Sequence, residues 1–335
     1  MRRDIVPACY FPTTVALVDD NRNFLNGLNI DLLHARKTIP LLYENAQEAL
    51  QFLNETYQPN RFIDRCLRNQ EETSMEQRII DIDLSAIRRE IYNPHRFNEI
   101  SIVFVDYVMP NLNGLEFFEQ LNDRWIKKVL LTDEADEKLA VKAFNQGIIH
   151  KFIRKDTANF TRIVNTVIQE LQYQYFCDLS RIIVDHLARK TISELSCLED
   201  PAFIKFFNRI CQENEAMEYY LADECGSFLL LDFQGQPSWL GVKSQEDMEV
   251  ALQLADFSDD PFPATVLEAM KSREKMLYIY GETYSSDVVK CEKFLFPAQK
   301  LDGQQTYYYT LIKNPEVFDI KSNQVLSYKE RLAGK

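Results

Sequence analysis

Short apolar runs alternate with amphipathic stretches through the first half of this chain. The runs are VALV at 15–18, TIPLL at 38–42, IVFV at 102–105, VLL at 129–131 and KFI at 151–153. Stretches between them, such as 44–53 and 115–121, carry apolar residues at helical spacing. Alternation of this kind predicts a parallel sheet with helices on both faces. Function in such sheets collects at the carboxyl ends of the strands. Each run here ends at or beside a polar residue.

Residues 55–98 break the rhythm. They are polar, contain Pro59 and Pro94, and place Ile80, Leu84, Ile87 and Ile91 at helical spacing, which predicts an inserted helical excursion. From Thr157 the pattern is long and helical, with Phe160, Val164, Val167, Leu171, Tyr175, Leu179, Ile182 and Leu187 forming an apolar stripe. Two readings fit: two ordinary helices bent near Asp178, or one signalling helix that leaves the first domain and pairs in a homodimer.

The second half turns β-rich. Strands are expected at 218–222, 227–232 and 238–243, helices at 245–256 and 264–274, and strands again at 276–280, 293–299 and 306–313. That order predicts an α+β domain with a mostly antiparallel sheet, and in outline it resembles a PAS-like sensor. The expected division is a first domain over 1–158 with its insertion at 55–98, a linking helix over 159–192, and an α+β output domain over 193–335.

Composition narrows the classes. Of 335 residues, 46% are hydrophobic and 27% charged, as in soluble globular proteins. The first residues, MRRDIVPACYFP, lack the apolar core of a secretion signal, and no apolar run nears the ~18 residues of a membrane span. Seven scattered cysteines without a CxxC pair suggest free thiols in a reducing cytoplasm. Net charge is −13 and both halves are acidic, which argues against a nucleic-acid-binding output.

The polar residues that end the runs carry the chemistry. Asp19 and Asp20 end the first, Asp106 the third and Thr132 the fourth, and Lys155 follows the fifth. A parallel sheet would gather them at one edge. Three carboxylates that close repel one another, and a hard divalent cation such as Mg²⁺ relieves the conflict. Lys155 and Thr132 can then hold phosphoryl oxygens, and Asp106 can act as nucleophile toward phosphorus.

At these residues the chain resembles the receiver domains of two-component response regulators. The matching segments are ALVDDN around Asp19 and Asp20, FVDYVMPNLNGLEFF around Asp106, KVLLTDEAD around Thr132 and HKFIRKD around Lys155. The resemblance covers roughly residues 13–158, less the insertion. It implies a flavodoxin-like (βα)5 fold, phosphorylation of Asp106 by a sensor histidine kinase, and Mg²⁺ held by Asp19, Asp20, Asp106 and the carbonyl of Val108. It also implies phosphoryl-binding roles for Thr132 and Lys155, and a switch role for Thr132 and Phe152. Departures are the long interval between Asp20 and Asp106, Asp133 after the threonine, and Asp156 where a proline is usual, so that no cis bond is expected there. The layout as a whole looks like the quorum-sensing branch of the response regulators.

Other candidates are weaker. His34, His95, His150 and His186 share no metal spacing and are expected on the surface or on helix sides. HLARKTISELSCL at 186–198 has a faint helix-turn-helix flavour without a basic recognition face. Acid pairs at Asp223–Glu224 and Asp259–Asp260 are the candidates for an enzymatic output, in turn-like sequence that favours solvation. A protein- or small-ligand-binding output stands ahead of a DNA-binding regulator and of an enzyme with an unrecognised site.

Overall fold

The computed structural model describes residues 5–36, 38–57, 62–69, 80–82, 84–132, 137–190, 196–256, 263–278, 294–315, 318 and 320–334. The chain opens with a two-residue strand, β1 (Cys9–Tyr10), then builds a repeating unit: β2 (Thr14–Val18), α1 (Arg22–Ala35), β3 (Pro40–Tyr43) and α2 (Ala46–Gln51). An insertion follows, with α3 (Phe62–Cys66), a hairpin of β4 (Leu67–Asn69) and β5 (Ile80–Ile82), and α4 (Leu84–Arg89). The expected excursion is therefore not purely helical. The unit resumes with β6 (Ile100–Asp106), α5 (Gly114–Gln120), β7 (Lys127–Thr132), α6 (Glu137–Asn145) and β8 (Lys151–Arg154).

Strands β3-β2-β6-β7-β8, in that order, form a five-stranded parallel sheet, the doubly wound arrangement expected from the alternation. Apolar residues fill both faces, as a sheet covered by helices requires. Ala16, Val18, Val103, Val105 and Leu130 point to the side of α2, α5 and α6; Val15, Leu17, Ile102, Phe104 and Leu131 point to α1 and the next helix.

That helix, α7 (Phe160–Lys190), runs 31 residues without a break, so the bend near Asp178 is not there. Its apolar stripe is divided between two cores of the same chain. Val164, Val167, Ile168 and Leu171 belong to the receiver sheet's core, and Tyr175, Phe176, Leu179 and Ile183 belong to the second domain's. The expected dimer seam along this stripe is consequently spent inside one chain as far as Ile183.

The second domain comprises α8 (Pro201–Glu213), β9 (Ala216–Leu221), β10 (Phe228–Asp232), β11 (Pro237–Ser244), α9 (Gln245–Asp256), α10 (Ala264–Lys271), β12 (Lys275–Leu277), β13 (Leu295–Pro297), β14 (Gln299–Asp302), β15 (Thr306–Lys313) and α11 (Tyr328–Leu332). Its antiparallel sheet has the order β1-β9-β10-β11-β15-β14. Residues 9–10, read from sequence with the first domain, thus pair in register with Tyr220 and Tyr219.

The insertion also packs on this second core, through Phe62, Cys66, Ile87, Ile91 and Phe97. At the junction Arg96 is fully buried and forks onto Glu218 of β9 at 2.8 and 3.0 Å. Tyr220 also donates to Glu218, at 2.6 Å. A buried charge survives only when paired and hydrogen-bonded, and both are satisfied here.

Candidate functional site

Asp19 and Asp20 follow β2, and Asp106 is the last residue of β6, the neighbouring strand. Parallel pairing, with Val18 in register with Val105, brings their carboxylates together: one ligand oxygen from each lies within 4.8 Å of the others. Asp19 and Asp106 are buried and Asp20 is exposed. The interval of 86 positions between Asp20 and Asp106 does not disturb this, because the insertion leaves from the opposite end of the sheet.

Lys155 lies just past β8 and crosses to the cluster. Its Nζ is 2.8 Å from Asp19 Oδ2 and 2.8 Å from Asp106 Oδ1. Burial opposes the ammonium charge, but hydrogen bonds to Asp106 and Asp19 and their negative charge outweigh it and hold the lysine above its ordinary value. The Phe24 ring lies 4.9 Å beneath the same nitrogen and adds a cation–π contact. The Lys155 N–H donates to the Thr132 carbonyl at 3.0 Å, which ties the end of β8 to the end of β7.

Thr132 closes the edge. Its hydroxyl is buried and has no hydrogen-bond partner among the described residues. An unmet buried hydroxyl costs about 1–3 kcal/mol. Phe152 is half-buried on β8, in register with Leu130, and packs on the α2–α5–α6 side of the sheet. Val108 sits in the loop after β6 with its side chain exposed.

The loop after Asp106 is built for close approach. Asn111 adopts a left-handed backbone (φ 67°), which asparagine tolerates better than most residues. Asn113 then caps α5 in a reciprocal box with Glu116. Gly114 packs directly against the Asp106 backbone: a β-carbon there would lie 2.5 Å from the Asp106 carbonyl oxygen and 2.7 Å from Leu130.

Two contributors escaped the reading of the sequence. Asn21 donates its N–H to Asp19 Oδ1 at 2.9 Å and caps α1 with its side chain, so it fixes the carboxylate and the helix together. The signal was an Asn standing directly after Asp19 and Asp20, at a helix start. Phe24 is the other. Asp156 pairs with Arg154 at 2.7 Å on the surface, and among the described residues no peptide is cis. Asp133 lies outside the described residues, as do Asp259, Asp260, residues 191–195 of the segment at 186–198, and the side chains of 186–190.

His150 departs from expectation. It is on no helix and is half-buried just before β8, where its Nδ1 accepts the Lys128 N–H at 3.0 Å. Burial and the nearby Lys127 charge push its pKa down to about 4. Asp223 is likewise not simply solvated: it accepts from the N–H groups of Cys225 and Ser227 and from the Tyr278 hydroxyl, so it organises a turn. Glu224 beside it is exposed.

Comparison with known proteins agrees with this geometry. The family described as response regulator receiver domain matches residues 63–168, a stretch that holds Asp106, Thr132 and Lys155 but begins after Asp19 and Asp20. No curated protein matches. Among solved structures, the Legionella pneumophila response regulator LqsR is 34% identical over 99% of this chain and 97% of its own, with a TM-score of 0.77. An adenylate cyclase from Rhodopirellula baltica (20% identical, 54% of this chain and 100% of that one, TM-score 0.37) and a receiver domain protein from Clostridium thermocellum (16%, 48% and 95%, 0.32) also match, with scores too low to carry an argument. Three carboxylates beside a lysine and an unmet hydroxyl, together with a full-length likeness to LqsR, place this chain among the response regulators.

Proposed function

We propose that Asp106 is the phosphoacceptor of a phosphorelay in the cytoplasm, with a sensor histidine kinase as donor. The observation that carries this is Lys155 lodged between Asp19 and Asp106 at 2.8 Å from each. A carboxylate oxygen of Asp106 would attack the phosphorus of a phosphohistidine. The oxygen–phosphorus bond forms as the phosphorus–nitrogen bond breaks, and the imidazole leaves with the bonding electrons.

The three clustered carboxylates suit a hard cation. Asp20 and Asp106 would hold Mg²⁺ directly, Asp19 through water, with the Val108 carbonyl as a further ligand. Bound there, Mg²⁺ would neutralise the acids and draw charge from the phosphoryl oxygens. Lys155 would move from the carboxylates onto one phosphoryl oxygen, and the Thr132 hydroxyl would donate to another. Phe152 is two positions from Arg154, the residue in register with Thr132, and would follow that shift as the switch.

Intact-mass spectrometry after treatment with acetyl phosphate and Mg²⁺ tests the assignment. One phosphoryl group should be added to the wild type and none to Asp106→Asn; equal labelling of the variant would overturn it.

The full-length likeness to LqsR supports membership of the quorum-sensing branch. The second domain is proposed to bind a protein or a small ligand. Among the described residues no helix is long and apolar enough to cross a membrane. A phosphorylation-dependent dimer would need a surface other than the α7 stripe. Helix α6 offers one, with Leu139, Val141 and Phe144 exposed.

A further inference from the structure

The end of the receiver sheet opposite Asp106 is hollow. A cavity of about 550 Å³ lies where the starts of β2, β3 and β6 meet the insertion and α11. It is within the size range of small-ligand sites. Its lining residues are of two kinds. One is apolar and aromatic, with Ile39, Leu41, Phe52 and Tyr57; Leu41 is among the few large apolar side chains of the receiver left exposed. The other is polar and holds two guanidinium groups, Arg65 and Arg331.

The two arginines are not equivalent. Arg65 is matched by acids, hydrogen-bonded to Glu90 and 3.7 Å from Glu99. Glu99 also accepts from the Tyr175 hydroxyl at 2.6 Å and from the Phe62 N–H at 3.0 Å, so its acceptor capacity is used. Arg331 makes no ion pair among the described residues. It gives one hydrogen bond, to the Asn98 side-chain oxygen at 2.8 Å, and its buried Nε has no acceptor. A buried N–H of a permanent cation left without an acceptor is costly, and an oxygen from water or from a bound molecule relieves it.

We propose that this cavity binds a small amphipathic carboxylate. The carboxylate would accept from Arg331, and the apolar portion would lie along Leu41, Phe52 and Tyr57. A neutral hydrocarbon would leave the guanidinium unmet. A cation would face Arg331 with the acids already taken by Arg65. The occupant would touch strand starts of the receiver, the insertion and α11 at once, and so would bridge the receiver to the second domain.

Titration calorimetry of the full chain with octanoate, 1-octanol and octylammonium tests this. Octanoate should bind saturably at one site per chain, and more tightly than either of the others. Arg331→Gln should weaken octanoate roughly tenfold or more while leaving octanol nearly unchanged, the size expected for losing a hydrogen bond to a charged group. Thr56→Trp fills the cavity from an exposed position and should abolish binding of all three; if Arg331→Gln does not fold, this variant decides alone. Absence of saturable octanoate binding would overturn the proposal. So would octanol or octylammonium binding as tightly, or octanoate binding unchanged in Thr56→Trp.

Discussion

Gly114 has no room for a methyl group. The nearest atoms to a β-carbon there are the Asp106 carbonyl oxygen at 2.5 Å and a Leu130 methyl at 2.7 Å, and the first of these is backbone that cannot rotate away. Gly114→Ala should therefore cost about 1–3 kcal/mol in urea unfolding, the range for overpacking, and should slow phosphorylation by displacing Asp106. A variant as stable and as reactive as wild type would contradict this packing. The two lysines at the start of β8 and just past its end separate in the same spirit. Lys151 pairs at 3.2 Å with Glu170 in a solvent-exposed contact, whereas Lys155 is held by two acids at the site. Lys155→Ala should abolish the structural response to phosphorylation, and Lys151→Ala should leave it near normal, read from tryptophan fluorescence with and without beryllofluoride. Equal responses would misplace the site lysine.

Two further residues set opposing pH dependences. Glu99 is buried, and its pKa is raised to about 7 from 4.5 by that burial, against hydrogen bonds and Arg65 that lower it. The folded state then holds a proton that the unfolded state has released, so this group's contribution falls as pH rises from about 4.5 to about 7. His150 is depressed to about 4 from 6.5, so the unfolded state takes the proton first, and its contribution falls as pH drops from about 6.5 to about 4. The slopes oppose each other between pH ~4.5 and ~6.5. Relative to wild type, Glu99→Gln should make stability rise more steeply with pH in that window, and His150→Asn should make it rise less or fall. Denaturant midpoints at five pH values measure both; slopes unchanged in either variant would reject the assignment. Nothing in the sequence pointed to Glu99, because its burial depends on Tyr175, 76 positions away.

At the scale of elements, α7 is where the sequence left its readings open. Its apolar stripe was legible, and so was its length. What covers a stripe is not a local property, and periodicity does not distinguish a partner chain from a second core of the same chain. The structure divides it: Val164 and Leu171 lie in the receiver core, and Gln172 hydrogen-bonds Thr13 at 2.9 Å near the base of the sheet. Val164→Glu with Leu171→Glu should thus destabilise the monomer by several kcal/mol, since each places a charge in an apolar core, without changing an oligomeric state. Light scattering on soluble double variant decides; a wild-type dimer converted to a stable monomer would restore the stripe to an intermolecular role. The insertion shows the same limit. Its helical spacing at Leu84, Ile87 and Ile91 was readable, whereas the Arg96–Glu218 pair, 122 positions apart, was not. Arg96→Ala leaves Glu218 buried with a single donor, Tyr220, and should cost about 3–5 kcal/mol.

At the scale of the molecule, the receiver and the second domain are not beads on a string. The insertion, residues 5–11 and half of α7 all contribute to the second core. Local separation of the two sheets would expose that shared surface, so the chain should unfold as one cooperative unit. Its two tryptophans bear on this, since Trp125 stands just before β7 and packs against the shared core, while Trp239 is fully buried in the second domain. Trp125→Phe and Trp239→Phe variants, each reporting through the remaining indole, should give coincident denaturant midpoints; a gap beyond the destabilisation of each variant would mean independent domains. The fold class of both halves, and most strands to within two residues, followed from alternation and turn residues. That Asp19, Asp20, Asp106, Thr132 and Lys155 would gather at one edge was legible because they stand in chain order at or just past strand ends. The joint between halves was not, because it is assembled from segments too short or too distant to carry a period.

Strand β1 makes that joint a matter of timing. Cys9 and Tyr10 pair with Tyr220 and Tyr219, yet the ribosome makes them long before. At ~5–20 residues per second, about 200 residues of synthesis is roughly 10–40 s during which the first strand has no sheet to join. The receiver's parallel sheet can close in that interval, since β2 begins only at Thr14. Until β9 is made, the apolar segment of Ile5, Val6, Ala8, Cys9 and Phe11 has no second core to pack into. A bulky fusion placed directly ahead of this segment should obstruct its late docking onto β9 rather than the earlier closing of the parallel sheet.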